Sequence, residues 1–523
     1  MSIAIDKRNT IDDFFRRAAR KWRSREAIRF EQRVWTYDDL DQAVANVCEV
    51  LTESGLEKGD RIGAYGRNSD AYLILWLACA RAGFVHVPLN FGLKGRELGY
   101  ILEQSDARAV FSDPDTEQEL ATVDGLLPDV IRGSFIDGNA DLCVLTAATN
   151  GQGACDKQWL VDDSDYAQIL YTSGTTGNPK GGAMTHRALT HAYFSSIHEL
   201  NMDQSDVILT ALPLYHSAQL HSFSMPQLLV GGRQIILRGP EPKNVFALVK
   251  EHSVNSFFAP ATVWVSLLRN SGFTSETMGT LRKVYYGASI MPVPIIQEMR
   301  HRLPKVQFYN CYGQSEVGPL ATVLRPEEHD ERPSSAGRPI LSMETRVVDT
   351  EMKTVPAGTT GEIIHRSPQL ISGYWRRPEE TAEAFSGGWF HSGDLGYFDE
   401  QGYLFIVDRI KDVINTGGVL VASREVEDVL FNHSAVKEVA VIGLPDEKWL
   451  EIVCGVVILR DGEEATEEDL IAHAKADLAH YKVPKQIIFV PDLPRNASGK
   501  ILKRALRQEF GGNASVLGSD AAR

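Results

Sequence analysis

The chain has 523 residues, 43% hydrophobic and 24% charged, with a formal net charge of −15. That length exceeds a single hydrophobic core and calls for two or more domains. The acidic balance argues against a nucleic-acid partner, because nothing would release counterions from a phosphate backbone.

Six dispersed cysteines without a CxxC pair speak against structural disulfides or a zinc site, and for a reducing cytosol. The N-terminal residues lack a secretory apolar core and Asp520 to Arg523 form no peroxisomal tripeptide. The longest apolar run, Ala71 to Ala80, is half a membrane span. These features predict a cytoplasmic protein with no integral membrane association.

In chain order, Ile11, Phe14, Phe15, Ala18 and Trp22 share one helical face behind a capping box at Thr10 and Asp13. A second helix is predicted from Tyr37 to Glu53, opened by Thr36 and Asp39. Strand patterns at Arg61 to Tyr65 and Phe84 to Pro88 flank a helix from Asp70 to Ala82. This alternation predicts an α/β fold, a large layered N-terminal domain with βαβ-type sheets. Val207 to Leu212 and Arg233 to Leu237 continue it, and Gly-rich turns over Gly361 to Gly402 predict a small β subdomain. Strands at Val436 to Ile442, Glu451 to Leu459 and Ile487 to Val490 flank a helix from Thr466 to Tyr481. They predict a compact α+β C-terminal module. The expected division is 1–410, 411–510 and a disordered tail over 511–523.

The string YTSGTTGNPKGG, Tyr171 to Gly182, follows a buried-strand pattern. Its glycines let backbone N–H groups approach a phosphate, its hydroxyls add donors, and Lys180 adds charge. It is not a Walker A loop, since Gly174, Gly177 and Lys180 stand three apart and Pro179 precedes the lysine. Composition alone favours a flexible surface loop; the full string, ending Pro-Lys-Gly, is far more specific.

That string resembles the signature of the adenylate-forming superfamily, which includes acyl-CoA synthetases, adenylation domains of peptide synthetases and luciferases. Further strings follow in the order the resemblance requires, over nearly the whole chain. It implies a small, mobile C-terminal domain, with ATP, Mg²⁺ and CoA as cofactors. Thr172, Ser173, Gly174, Thr175, Thr176, Gly177 and Lys180 would cradle the phosphates.

In NCYGQSE, Asn310 to Glu316, Tyr312 can stack on adenine, Ser315 can donate to a phosphate oxygen, and Glu316 can hold Mg²⁺. Asn310 would partner the adenine amine, and Gly313 is the turn glycine. Upstream, Gly287 and Ala288 of YGAS resemble the segment framing adenine and acyl group. In WFHSGDLG, Asp394 can accept both ribose hydroxyls. In DRIKDVINTGG, Arg409 reaches ribose or phosphate. The resemblance makes Lys411 the hinge and puts Gly417 and Gly418 beside the CoA channel. In PRNASGKIL it makes Lys500 the catalytic lysine, bridging carboxylate and α-phosphate. Taken alone, Lys500 is a solvated loop charge and Lys411 a residue of a charged linker.

The segment PLYH, Pro213 to His216, carries no aspartate where amino-acid-activating relatives pair the substrate amine. A buried amine would lack a counter-charge, so the substrate is expected to be a hydrophobic small-molecule carboxylic acid. His216 would gate the acyl pocket, which Phe258, Trp264 and Gly287 would line; a core histidine is the plainer reading, and the aromatics could equally belong to the core. One departure stands out. After Gly418 many relatives show Glu-Asn-x-x-Pro, whereas this chain reads Val419, Leu420, Val421, Ala422, Ser423, which bears on the balance of the two half-reactions. The expected activity is AMP-forming acyl-CoA ligation. Alternatives are an acyl-AMP ligase loading an acyl carrier protein, a luciferase-like oxidase, an AMP-binding regulator, or an enzyme performing mainly one half-reaction.

Overall fold

A computed structural model describes residues 9–126, 129–136, 142–172, 178–289, 291–495 and 501–511. The tail expected to be disordered lies outside the described residues from 512 onward. Compactness divides the chain into two units, Met1–Thr345 with His365–Phe390, and Arg346–Ile364 with His391–Arg523.

Three helices begin the first unit: α1 (Ile11–Lys21), α2 (Tyr37–Glu53) and α3 (Asp70–Ala82). Capping boxes at Thr10/Asp13 and Thr36/Asp39 satisfy the first backbone donors of α1 and α2. Ser69 caps α3, and Gly83, with φ of 80°, ends it. Every residue of α3 is buried, which explains an apolar run with no polar face. Its two charges are paired. Asp70 accepts from Arg33 Nε and Nη2 at 2.7 and 2.9 Å and from the Trp35 indole at 2.9 Å. Arg81 is held by Asp12 of α1 at 2.7 Å and by Asp41 of α2. No helix among the described residues is long and apolar enough to cross a membrane.

Two sheets carry the first unit. In the seven-stranded sheet the order is Leu142–Cys143, Ile131–Ser134, Ala107–Ser112, Arg61–Tyr65, Val85–Leu89, Tyr166–Thr172, Lys180–Thr185. All neighbours are parallel except the last pair. The nine-stranded sheet has a parallel centre: Gln307–Tyr312, Lys283–Gly287, Ser256–Ala259, Val207–Thr210, Arg233–Ile236 and Glu26–Phe30. Antiparallel strands close both of its edges. This is the layered α/β architecture expected of the large domain.

The second unit contains most of a four-stranded sheet (Glu344–Val348, Gly361–Arg366, Phe390–Phe398, Leu404–Arg409) and all of a five-stranded one. The latter runs Val419–Val421, Ile414–Thr416, Leu450–Leu459, Val436–Asp446, with Gln486–Phe489 pairing the long Leu450–Leu459 strand. The helix expected over Thr466 to Tyr481 spans only Glu467–Asp477, and Leu478 is already extended. Leu478 still packs with Leu470 and Ala474 in one cluster, so the apolar stripe outlasts the helix.

A polar chain crosses the core of the first unit. The Tyr193 hydroxyl meets His221 Nδ1 at 2.9 Å, His221 Nε2 meets Gln168 Oε1 at 2.8 Å, and Gln168 Nε2 meets His86 Nδ1 at 3.0 Å. An amide oxygen only accepts, so His221 carries its proton on Nε2 and Tyr193 donates to Nδ1. Removal from water pushes both imidazoles down to about 3, so both are neutral. Unfolded histidine titrates near 6.5, so the unfolded chain binds more protons in between and stability falls as pH drops through this window. Unfolding of the first unit should take up about two protons from these residues at pH 5. A urea unfolding free energy that stays flat between pH 7 and 5 would contradict their neutral state.

Candidate active site

In the first unit, Thr172 and Lys180 face each other across the antiparallel pair that flanks the Gly/Thr-rich string. Ser173 to Gly177 lie outside the described residues. Segment Ser372–Trp375 adds along the strand containing Lys180. Ala183 N–H donates to Gly373 at 2.9 Å, Ser372 N–H to Ala183 at 2.9 Å, and Trp375 N–H to Gly181 at 2.7 Å. One residue earlier, Ile371 N–H donates to the Glu316 carbonyl at 3.0 Å.

This pairing brings four side chains together. Thr172 Oγ1 donates to Glu316 Oε1 at 3.0 Å, and the Tyr374 hydroxyl reaches the same oxygen at 3.4 Å. Lys180 Nζ stands 5.3 Å from the centre of the Tyr374 ring. Burial and the adjacent Glu316 carboxylate raise the Tyr374 phenol far above its ordinary range, so it is a donor at any working pH. The oxygen donors suit a hard cation such as Mg²⁺, and the ammonium suits a polyphosphate.

The strands Lys283–Gly287 and Gln307–Tyr312 run parallel, with Tyr286 opposite Asn310 and Gly287 opposite Cys311. Open α/β sheets bind ligands outside the carboxyl ends of their strands, which is where Gly287 and Tyr312 stand. A Cβ on Gly287 would lie 2.1 Å from the Cys311 carbonyl oxygen, and one on Gly313 would lie 2.0 Å from that of Pro319. Only glycine permits either approach. Ala288 has φ of 60°, an unusual conformation for a residue with a side chain. Asn310 Nδ2 donates to the Ser335 carbonyl at 2.8 Å, which turns Oδ1 into the group able to accept from an amine. Tyr312 is half-buried, its ring 6.3 Å from that of His365.

The PLYH segment joins this region through Ser217, whose hydroxyl is 2.8 Å from that of Ser315. His216 is half-buried, and its Nδ1 accepts from Ala218 N–H at 3.2 Å. Of the aromatic pocket candidates, Trp264 belongs to the core. It is 0% exposed, donates its indole N–H to the Tyr285 carbonyl at 3.2 Å, and packs edge-on to Phe257. Phe258 is buried in a stack with Phe223, ring centres 4.2 Å apart.

In the second unit, Asp394 lies opposite Arg409 on paired strands and accepts from its Nε at 2.9 Å. Lys411 is exposed on the turn Ile410–Asp412. Gly417 and Gly418 form the two-residue loop of a hairpin with φ of 64° and 86°, values that such a turn demands of glycine. A Cβ on Gly417 would also lie 2.9 Å from the Trp449 ring, whereas none meets an atom at Gly418. Leu420 is 66% exposed. Lys500 lies outside the described residues.

Sequence reasoning missed two groups. Tyr374 has no motif of its own and is recruited by strand addition. Ser423, where many relatives carry proline, donates N–H and hydroxyl to Asp408 at 2.6 and 2.8 Å, and its hydroxyl accepts from Lys503 at 2.6 Å. It stands at the first helical position of Ser423–Phe431, where a proline would have no N–H to satisfy.

The chain is similar to known proteins over most of its length. Residues 15–375 match the family of AMP-binding enzymes, and 425–500 match the AMP-binding enzyme C-terminal domain. Feruloyl-CoA synthase of Amycolatopsis sp is 34% identical over 93% of this chain and 96% of its own. The fatty acid–[acyl-carrier-protein] ligase ScoC of Streptomyces coeruleorubidus is 32% identical over 94% of each chain. The crystal structure of ATP-bound MatB from Rhodopseudomonas palustris has a TM-score of 0.88 at 30% identity, covering 96% of this chain and 99% of that one. The chain belongs to the AMP-binding enzyme family. It is an AMP-forming acid–thiol ligase, the class that works with ATP, Mg²⁺ and CoA.

The hairpin makes a comparative prediction. Alanine at either Gly417 or Gly418 should cost about 1–2 kcal/mol through its left-handed backbone. Gly417→Ala should cost more, because it must also displace Trp449. Thermal unfolding of the second unit in both variants checks this; equal losses would mean the ring yields freely.

Proposed function

We propose that the chain activates a hydrophobic carboxylic acid with ATP, releasing pyrophosphate, and transfers the acyl group from the adenylate to the CoA thiol. The single observation that carries this reading is the Thr172–Lys180–Glu316 cluster, beside a PLYHS segment that offers no carboxylate to a substrate amine. In this reading Lys180 and the Thr172 to Gly177 string hold the phosphates. Asn310 and Tyr312 receive adenine between Gly287–Ala288 and Gly313, Ser315 donates to phosphate, and Asp394 with Arg409 receives the ribose. Mg²⁺ held at Glu316 supplies charge neutralisation to the triphosphate. His216, Gly287 and Phe258 border the acyl group. Trp264 supports them from the core.

The carboxylate attacks the α-phosphorus in line, and the chain's task is to align the partners and offset the gathering negative charge. Lys500 does so where the two anions meet. Rotation about Lys411, with residues 1–410 on one side and 411–510 on the other, then withdraws Lys500 and presents Gly417 and Gly418 to the thiol. A second reading, transfer to an acyl carrier protein, draws on the exposed Val419 and Leu420 beside this hairpin and on the similarity to ScoC.

A pyrophosphate-release screen over fatty, aryl and amino acids, with and without CoA or holo-carrier protein, tests both readings. An apolar acid should turn over fastest; an amino acid outrunning every apolar acid would overturn the substrate class. Lys500→Ala should lower adenylation by about 10²–10³-fold, while supplied acyl-adenylate and CoA still give thioester. Normal adenylation by that variant refutes its role. Lys411→Pro fixes φ at the hinge and should spare adenylation while slowing thioester formation in single-turnover assays. Equal loss of both steps would argue against a hinge there.

A further inference from the structure

We infer that Tyr374 is a positioning residue that holds Glu316 and Lys180 apart and oriented, one for the metal and the other for the polyphosphate. The inference rests on the roles proposed above for those two residues and adds a third that no sequence motif marks.

Tyr374 is placed by its backbone. It bridges antiparallel to Gly182, and its N–H donates to Thr381 Oγ1 at 2.9 Å. Gly373 before it has φ of 146°, and a Cβ there would lie 2.7 Å from Thr381 Cγ2. The ring therefore projects from a fixed point beside the strand that carries Lys180. One edge of it meets the carboxylate and one face meets the ammonium. Both donors to Glu316, Thr172 Oγ1 and the Tyr374 hydroxyl, share Oε1. Two donors on one oxygen orient the carboxylate and leave Oε2 as the oxygen available to a cation.

The ring also acts as a spacer. A lysine and a glutamate that border the same ring could pair with one another, and in that state neither would be available to ligand. No ion pair joins Lys180 to Glu316; the ammonium lies against the aromatic face instead, where the quadrupole attracts it without neutralising it. Tyr374 thus supplies a donor to one group and an alternative resting place to the other.

These two roles separate by substitution. Tyr374→Phe keeps the spacer and removes the donor. Tyr374→Ala removes both. The probes are Mn²⁺ binding to the protein–ATP complex, followed by EPR, and metal-free ATP binding in EDTA, followed by calorimetry, on full-length protein checked for an unchanged thermal transition. Tyr374→Phe should weaken Mn²⁺ about 3- to 10-fold and leave metal-free ATP affinity within about twofold. Tyr374→Ala should in addition weaken metal-free ATP about 2- to 5-fold, because Lys180 collapses onto Glu316. Adding Glu316→Gln to Tyr374→Ala should restore that ATP affinity, which a merely structural defect would not allow.

Unchanged Mn²⁺ affinity in Tyr374→Phe, when Glu316→Gln weakens it, overturns the donor role. Failure of the double variant to recover ATP affinity overturns the spacer role. If Glu316→Gln leaves Mn²⁺ affinity unchanged, the metal reading of Glu316 falls and takes the donor role with it; the spacer role is still decided by the ATP arm.

Discussion

The short backbone clasp from Ile371 to Trp375 is what the candidate site depends on. It hydrogen-bonds at one end to the Glu316 carbonyl, beyond a strand of the nine-stranded sheet, and at the other to Gly181 and Ala183 in the seven-stranded sheet. Main-chain bonds of this kind are obligatory once buried, since an unpaired N–H or C=O there costs as much as a lost hydrogen bond. The two sheets are therefore registered to one another where the chemistry is needed. Thr172, Lys180, Glu316 and Tyr374 meet as a consequence of that register, although 202 positions separate the first from the last. Glycine at 182 eases the approach, because a Cβ there would make a tight 3.2 Å contact with Ile371 Cγ2.

Behind the clasp lies an unusually polar core. Helix α3 is buried on all sides, yet it begins and ends with charges. Asp70 and Arg81 are tolerable because each is matched by partners from neighbouring elements, so the ion pairs also fix how α1 and α2 pack on α3. Such pairs contribute little net stability, but losing one partner strands the other in a medium that cannot solvate it. The directed chain from Tyr193 to His86 works in the same way. Its hydrogen bonds need neutral imidazoles, and burial supplies them.

The second unit shows how a departure from a familiar pattern can be compensated. With Ser423 in place of proline, the helix Ser423–Phe431 has a first N–H to satisfy, and Asp408 accepts it. Asp408 adjoins Arg409, whose guanidinium pairs with Asp394. Lys503 and Arg507, on the helix following the Lys500 string, bond to Ser423 and Asp412 respectively. The segment around the proposed hinge and the helix after the lysine string are thus tied together within one unit. The Gly417–Gly418 pair, which the resemblance assigns to a channel, is also demanded by the hairpin's own backbone.

Much was legible in the amino-acid order alone, and the reason is local. Helices Tyr37–Glu53 and Asp70–Ala82 carry their start and stop signals within a few residues, and the strand Arg61–Tyr65 is bounded by turn residues on both sides. The strings around Lys180, Glu316, Asp394 and Arg409 are contiguous, so the family and its chemistry follow without coordinates. Tyr374 was invisible because its importance comes from strand addition to a hairpin far earlier in the chain. Trp264 is ambiguous in sequence because an aromatic next to an apolar strand looks the same whether it faces a ligand or the core; its burial and its bond to the Tyr285 carbonyl set it in the core here. Sequence by itself determined the elements, the family and the residues able to carry charge. Only the tertiary structure decided which of those charges border a shared tyrosine and which are neutralised in the core, because long-range register, not local order, sets the distances between them.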